Sequence, residues 1–202
     1  MESPPLLCSE AALSGCRHYR WWLRRQWQPG LPPLVFIGLN PSRADAERDD
    51  PTLRRIVGFA RQWGFGSVTV LNLFARISPS PALLKRAADP VGPDNDRWLQ
   101  GAQDGRAAIW LGWGNQGGWR GRDRQVLELL RQGLVGEPHR ESRLLCLGLT
   151  ALGQPRHPLY AAAATPPQRL LLAQIRGHGA LCEQRADAPW AAPLAAMPFT
   201  ST

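Results

Sequence analysis

The sequence has neither paired cysteines nor a long apolar run. The four cysteines, Cys8, Cys16, Cys146 and Cys182, are widely scattered, with no C-x-x-C pair and no histidine at ligand spacing. This spacing predicts neither a zinc site nor an iron–sulfur cluster. No apolar stretch approaches the roughly 20 residues of a membrane span, and no basic segment followed by a hydrophobic one begins the chain. We therefore expect a cytoplasmic protein with reduced thiols and no membrane partner.

The common phosphate-binding loops are also missing. The glycines of residues 112–118 follow neither the Walker pattern nor a Gly-x-Gly-x-x-Gly placed after the first strand. Binding of a nucleoside triphosphate is therefore not indicated.

A cluster of acidic residues allows a metal site as an alternative interpretation. The carboxylates Asp45, Asp49 and Asp50 are hard oxygen ligands of the kind that hold Mg²⁺. However, Asp50 before Pro51 is a good helix N-cap, and Asp49 complements the helix dipole. We expect no cofactor and no metal, and we keep magnesium as the weaker reading.

The sequence does have a marked positive charge. Lys and Arg number 24 against 16 Asp and Glu, which gives a net charge of +8 and a pI of about 10.5. Most of the excess is arginine, whose planar fork suits phosphate. This charge favours nucleic acid or a nucleotide as partner, and a merely solvated basic surface is the alternative.

Apolar runs alternate with helical patterns along the chain, as in α/β proteins. The sequence predicts strands over residues 18–27, 34–37, 67–72, 107–111 and 143–147. It predicts helices from Pro51 until Gly64 and over residues 81–87, 93–103, 122–132 and 168–176.

The predicted architecture is a three-layer α/β/α sandwich around a mainly parallel sheet of four strands. The strand at 18–27 turns through residues 28–30 and is expected to form a hairpin with the strand at 34–37. We expect residues 1–16 to be a loose lead-in, 17–163 to be a single domain, and 164–202 to be a peripheral or partly disordered tail.

Polar residues follow the ends of the predicted parallel strands, where such sheets bind their ligands. Asn40 follows the first apolar strand, and its amide suits the orientation of a water or a substrate, although Asn-Pro also builds a good turn. Asn72 ends the next strand and presents a donor beside an acceptor, which suits a nucleobase edge, or it caps the following turn. His157 has the chemistry for proton transfer or oxyanion stabilisation, or it only packs in a rigid loop.

The order of these motifs resembles a bacterial and phage family called domain of unknown function 1643. The resemblance covers roughly residues 19–160 and implies a compact α/β domain without a settled activity. It is carried by Leu39-Asn40-Pro41-Ser42, Asp49-Asp50-Pro51-Thr52, Trp63-Gly64, Asn72-Leu73-Phe74-Ala75, Gly92-Pro93-Asp94-Asn95, Trp113-Gly114 and Gly153-x-Pro155-x-His157-Pro158-Leu159-Tyr160.

A more distant resemblance is to the uracil-DNA glycosylase superfamily. It is carried by four strand-end motifs: Gly38-Leu39-Asn40-Pro41, Leu71-Asn72, Trp113-Gly114 and His157-Pro158. The resemblance implies that Asn40 positions the attacking water, Asn72 reads the base edge and His157 stabilises the departing base anion.

The same resemblance implies that a flipped base stacks on an aromatic side chain such as Phe74. The other expected substrate-binding residues are Gly38, Leu39, Pro41, Ser42, Trp113 and Gly114. The sequence departs from the superfamily because Asn40 stands where the commonest version has a carboxylate.

The leading hypothesis is recognition or processing of a nucleobase in nucleic acid or a nucleotide, as a hydrolase that cleaves an N-glycosidic bond without metal. One alternative is a nucleic-acid-binding module that catalyses no reaction. Another is a magnesium-dependent phosphoesterase that uses Asp45, Asp49 and Asp50.

Overall fold

The computed structural model describes residues 5–42, 46–102, 107–134, 144–170 and 182–183. Within these residues eight strands form one sheet: β1 (Cys8–Leu13), β2 (Arg20–Gln26), β3 (Pro33–Gly38), β4 (Ser67–Asn72), β5 (Ala108–Leu111), β6 (Leu144–Cys146), β7 (Gln168–Leu170) and β8 (Cys182–Glu183). Four α-helices connect them: α1 (Pro51–Gln62), α2 (Pro81–Leu84), α3 (Asn95–Gly101) and α4 (Arg122–Leu134). The strand order is β1-β2-β4-β3-β5-β6-β7-β8.

The centre of the sheet consists of four parallel strands, β4, β3, β5 and β6. Their registers align the carboxyl ends, because Gly38 pairs with Asn72 and Ile37 pairs with Leu111. The turns after β3, β4 and β5 therefore emerge at one edge of the sheet, which is the edge that binds ligands in parallel sheets.

Helices bury both faces of this sheet. On one face, Ile56 and Phe59 of α1 join a core cluster with residues of the sheet. On the other face, a second cluster includes Leu99 of α3 and Leu130 of α4. Because β3 is covered on both faces, its side chains are buried whichever way they point, and this explains the continuous apolar run over residues 34–37.

The local signals for α1 are confirmed. Asp50 caps the helix by accepting a hydrogen bond from the Leu53 amide at 2.7 Å, and Pro51 takes the first helical position. The predicted helices at residues 81, 93 and 122 also form, with α2 and α3 shorter than predicted. Local capping chemistry is readable without knowledge of the fold.

The N-terminal region differs from its prediction. Residues 8–13, expected in a loose lead-in, form β1 at the edge of the sheet and pair antiparallel with β2. The predicted hairpin between β2 and β3 is wrong, since β4 lies between them and β2 pairs antiparallel with β4. The hairpin is instead β1–β2, because strand pairing depends on non-local contacts that a turn signal does not report.

The sheet is mixed rather than mainly parallel. Four of its pairings are antiparallel, at the two flanks. The helix predicted at 168–176 is wrong where the structure describes it, because Gln168–Leu170 is strand β7, paired with β6. Residues 171–176, like most of the predicted tail, lie outside the described residues. None of the described helices combines the length and the apolar character that a membrane span requires.

Candidate functional site

A cleft of about 780 Å³ opens at the carboxyl edge of the parallel strands. Its walls include eight of the predicted site residues: Gly38, Leu39, Asn40, Ser42, Asn72, Trp113, Gly114 and His157. The size and the mixture of apolar walls with a few polar groups are typical of small-molecule sites. The structure therefore brings Asn40, Asn72 and His157 to one cavity.

Asn72 places a buried amide nitrogen without a protein partner at the wall of this cleft. Its residue is only 3 % exposed, and its Nδ2 has no hydrogen-bond partner in the described part of the chain. A buried donor left unsatisfied costs about 1–3 kcal/mol. Such a group at a cavity wall is satisfied by a bound water or by a ligand acceptor.

Two buried side chains, Asn95 and Arg122, hydrogen-bond to the backbone at Asn72 and Leu73. Asn95 Nδ2 donates to the carbonyl oxygens of Asn72 at 3.2 Å and of Leu73 at 3.0 Å. Arg122 Nε donates to the Leu73 carbonyl at 2.8 Å, and its guanidinium pairs with Asp96. The turn after β4 is thus anchored by α3 and α4, which keeps the Asn72 side chain at the cleft.

The amide of Asn40 has a defined orientation. Its Nδ2 donates to the carbonyl oxygens of Pro41 and Ser78, each at 2.9 Å. Only the NH₂ end of the amide can face two acceptors, so Oδ1 is the other end. No donor among the described residues reaches Oδ1, which leaves an acceptor for a water or a substrate.

His157 is held as a neutral imidazole. Its Nδ1 accepts a hydrogen bond from the Leu159 amide at 3.3 Å, where it caps the 3₁₀ turn Pro158–Tyr160. Because Nδ1 is an acceptor, the proton of the neutral ring is on Nε2. Burial lowers the pKa of His157, and the nearby Asp50 carboxylate opposes that effect. His157 therefore has an Nε2–H donor at neutral pH.

Two contacts fix the loop that contains His157. The Gly114 amide donates to the Pro155 carbonyl at 2.8 Å, which ties the end of β5 to this loop. Arg55 of α1 donates to the carbonyls of Pro158 and Ala161. The loop is thus held by α1 and by the residues at the end of β5.

Gln154 joins the same loop to α4. Its Oε1 accepts from Trp113 Nε1 at 2.7 Å, and its Nε2 donates to Asp123 Oδ2 at 2.7 Å. One side chain therefore satisfies both a cleft-wall tryptophan and a buried carboxylate. Sequence reasoning missed this residue because a glutamine in a loop has no local signal for such a bridge.

Glycine at position 112 is required by a close approach. A Cβ there would lie 2.5 Å from Phe36 Cε2, a distance that real Cβ atoms do not adopt. The aromatic ring of β3 therefore packs directly against the backbone at the end of β5. This explains why a glycine follows β5 although no nucleotide-binding loop is present there.

Two predicted binding residues lie elsewhere. Phe74 was expected to stack on a base, but its ring is 0 % exposed and packs against Trp119 in the core. The chain turns after Asn72, and its next apolar side chains enter the core. Pro41 is buried and does not line the cleft, although its carbonyl accepts from Asn40.

The acidic cluster has structural partners. Asp49 pairs with the buried Arg25 at 2.8 Å, and Asp45 lies outside the described residues. Asp50 caps α1 with one oxygen and accepts from Ser42 Oγ with the other, and it lines the cleft. Among the described residues, no three His, Cys, Asp or Glu side chains are grouped as a metal site.

Arg20 is a further cleft residue that sequence reasoning did not select. It begins β2, is buried, and lines the cleft together with the exposed Arg156. The sequence signal for Arg20 is its place in a predicted strand between two aromatic residues, where a charged side chain is unusual. These two cations provide positive charge at the cavity.

The comparisons with known proteins identify a family. A family model described as Protein of unknown function (DUF1643) matches residues 20–159. No curated protein and no solved structure matches the chain.

Proposed function

The chain belongs to the family Protein of unknown function (DUF1643), and we propose that its cleft binds a nucleobase, in nucleic acid or a nucleotide, and cleaves the N-glycosidic bond. The observation that carries this proposal is the meeting of Asn40, Asn72 and His157 at one cavity, with the buried Asn72 amide unpartnered. An uncharged amide that presents donor and acceptor together suits the edge of a base.

The proposed reaction is hydrolysis without a metal. A water held by Asn40 Oδ1 attacks the anomeric carbon of the sugar, and the C–N bond electrons leave with the base. The water proton passes to an acceptor, and the base anion accepts a hydrogen bond from Nε2–H of His157. A neutral donor aimed at developing negative charge is a strong catalytic element, because it costs no reorganisation in the transition state.

Kinship with the uracil-DNA glycosylase superfamily is part of this proposal. Two features support it: helices cover both faces of the sheet, and the motif residues lie at the carboxyl ends of β3, β4 and β5. The arrangement is in keeping with a three-layer α/β/α sandwich.

The test is an assay for abasic sites. The protein is incubated with duplexes that contain uracil, hypoxanthine, mismatched or modified bases, then treated with alkali; free nucleosides and nucleotides are assayed for released base. We expect strand breaks or base release, reduced about 10²- to 10³-fold by Asn40→Ala and His157→Gln. His18→Gln is the matched control, since His18 is exposed and lies outside the cleft. Absence of product on every substrate would refute the enzymatic function.

A binding module without catalysis is the second candidate, favoured by the net charge of +8. It predicts DNA or RNA binding that weakens as salt rises, because phosphate contacts release counterions. Binding that survives Asn40→Ala, with no product from the unmodified protein, would identify this function.

A further inference from the structure

The proposed hydrolysis requires a group that accepts the proton of the attacking water. Asn40 can hold the water by its Oδ1, but an amide oxygen is not basic enough to take a proton. His157 faces the reaction as a donor, with its Nδ1 already used by the Leu159 amide. Neither residue supplies a base.

The cleft contains one carboxylate that fits this role. Asp50 is the only acidic residue among the described residues that line the cavity. Its neighbour Asp49 is committed to Arg25. Asp123 is committed to Gln154 and to the Arg124 amide. Asp50 is thus distinguished from the nearby acids by its position.

Two hydrogen bonds hold the Asp50 carboxylate in place and leave part of its acceptor capacity free. One oxygen accepts from the Leu53 amide at 2.7 Å, and the other accepts from Ser42 Oγ. Each carboxylate oxygen has two acceptor sites, so one on each oxygen remains. Ser42 is two residues after Asn40, so this bond ties the carboxylate to the turn that carries Asn40, and all three residues line the cavity.

Two further observations support a ligand site at this helix start. The unpartnered, buried amide of Asn72 lines the same cavity. Asp50 also lies close enough to His157, which lines the same cavity, for its charge to oppose part of the lowering of the His157 pKa by burial.

We propose that Asp50 is the general base of the reaction, a role that rests on the proposed hydrolysis. As the water oxygen bonds to the anomeric carbon, a water proton moves to the Asp50 carboxylate. The electron pair of the C–N bond leaves with the base, which takes a proton from solvent after its anion is held by His157. Asp50 then returns its proton to solvent, so the cycle balances.

The decisive variant is Asp50→Asn, because Asn caps helices as well as Asp does and only the charge is removed. We expect kcat to fall about 10²- to 10⁴-fold, with KM and the melting temperature little changed. Asp94→Asn is the matched control, since Asp94 is exposed and makes no side-chain cap contact; its activity should equal that of the unmodified protein.

The outcomes separate the two proposals. If the unmodified protein is active and Asp50→Asn keeps kcat within about threefold, Asp50 is not the base, while the hydrolytic function stands. If the unmodified protein cleaves no substrate, both proposals fail. Should Asp50→Asn fold poorly, Asp50→Ser, which also caps and also lacks the charge, gives the same decision.

Discussion

Two buried asparagines show how the same side chain serves different purposes at the residue scale. Asn95 is 2 % exposed, and its amide donates to two backbone carbonyls, so it stabilises the turn after β4. Asn72 is equally buried, yet its Nδ2 has no partner within the described residues. A buried amide nitrogen without a protein partner needs an acceptor from a water or a ligand.

The two asparagines should therefore respond oppositely to truncation. Asn72→Ala removes an unsatisfied donor beside a cavity, so we expect the free energy of unfolding to stay level or to rise by up to about 1 kcal/mol. Asn95→Ala removes two buried hydrogen bonds, those to the Asn72 and Leu73 carbonyls, of which only the Leu73 carbonyl keeps Arg122 as a side-chain donor. The variant should lose about 1–3 kcal/mol. Urea denaturation of both variants measures the difference. A large loss for Asn72→Ala would show that its amide is structural.

The second prediction at this scale concerns the protonation of His157. Burial holds its pKa below the ordinary 6.5, so the ring should be neutral at pH 7 with its proton on Nε2. Nitrogen-15 spectra of the ring, followed against pH, measure both properties. A midpoint above 6.5, or a proton on Nδ1, would contradict the assignment.

The same shift has a consequence for stability. Since the folded pKa of His157 lies below the unfolded value, the unfolded state binds more protons at acid pH. The contribution to stability is complete above the unfolded pKa and is lost as the pH falls from that value to the folded pKa. His157→Gln should show a smaller loss of stability over that window.

At the scale of elements, the site depends on bridges between loops and helices. Gln154 links Trp113, at the end of β5, to the buried Asp123 of α4. The residues after Gln154 lead to His157, and the Pro155 carbonyl accepts from Gly114. The position of the histidine is therefore set by α4 and β5 together.

Gln154→Leu should break this bridge. It leaves the Trp113 Nε1 donor and the Asp123 carboxylate short of a partner, with an expected loss of about 1–3 kcal/mol in unfolding free energy. The same change at the exposed Gln132, whose amide contacts Glu128, is the control and should cost about 0.5 kcal/mol or less. Thermal and urea unfolding of both variants provide the comparison.

At the scale of the whole molecule, the sheet includes a strand close to the start of the described residues. β1 forms a six-residue strand paired with β2, and the Leu7 amide donates to the Gln26 carbonyl at 2.7 Å. β2 carries the fully buried Leu23 and Arg25. The edge strand therefore covers a strand that itself contributes to the core.

Deletion of residues 1–13 should destabilise the protein, because it leaves β2 as an unpaired edge prone to association. The melting temperature should fall by about 2–4 °C for each kcal/mol lost. Deletion of residues 1–5, which precede β1, is the control. Calorimetry and light scattering measure the two effects, and equal melting temperatures would contradict the importance of β1.

Several features of this protein follow from the sequence by itself, because their causes are local. The cap Asp50-Pro51 determines where α1 begins. Apolar runs identify the parallel strands, and the rule that ligands bind at carboxyl ends of such strands then selects Asn40, Asn72 and His157.

Other features were decided only by the tertiary structure. The pairing of β2 with β4, the strand at residues 8–13 and the inward position of Phe74 depend on contacts between distant segments. The same is true of the Asp50 carboxylate, whose capping role is local but whose exposure to the cleft is not. Hydrogen bonding within one turn is encoded by neighbouring residues, whereas strand order and the surroundings of a side chain are encoded by the whole chain.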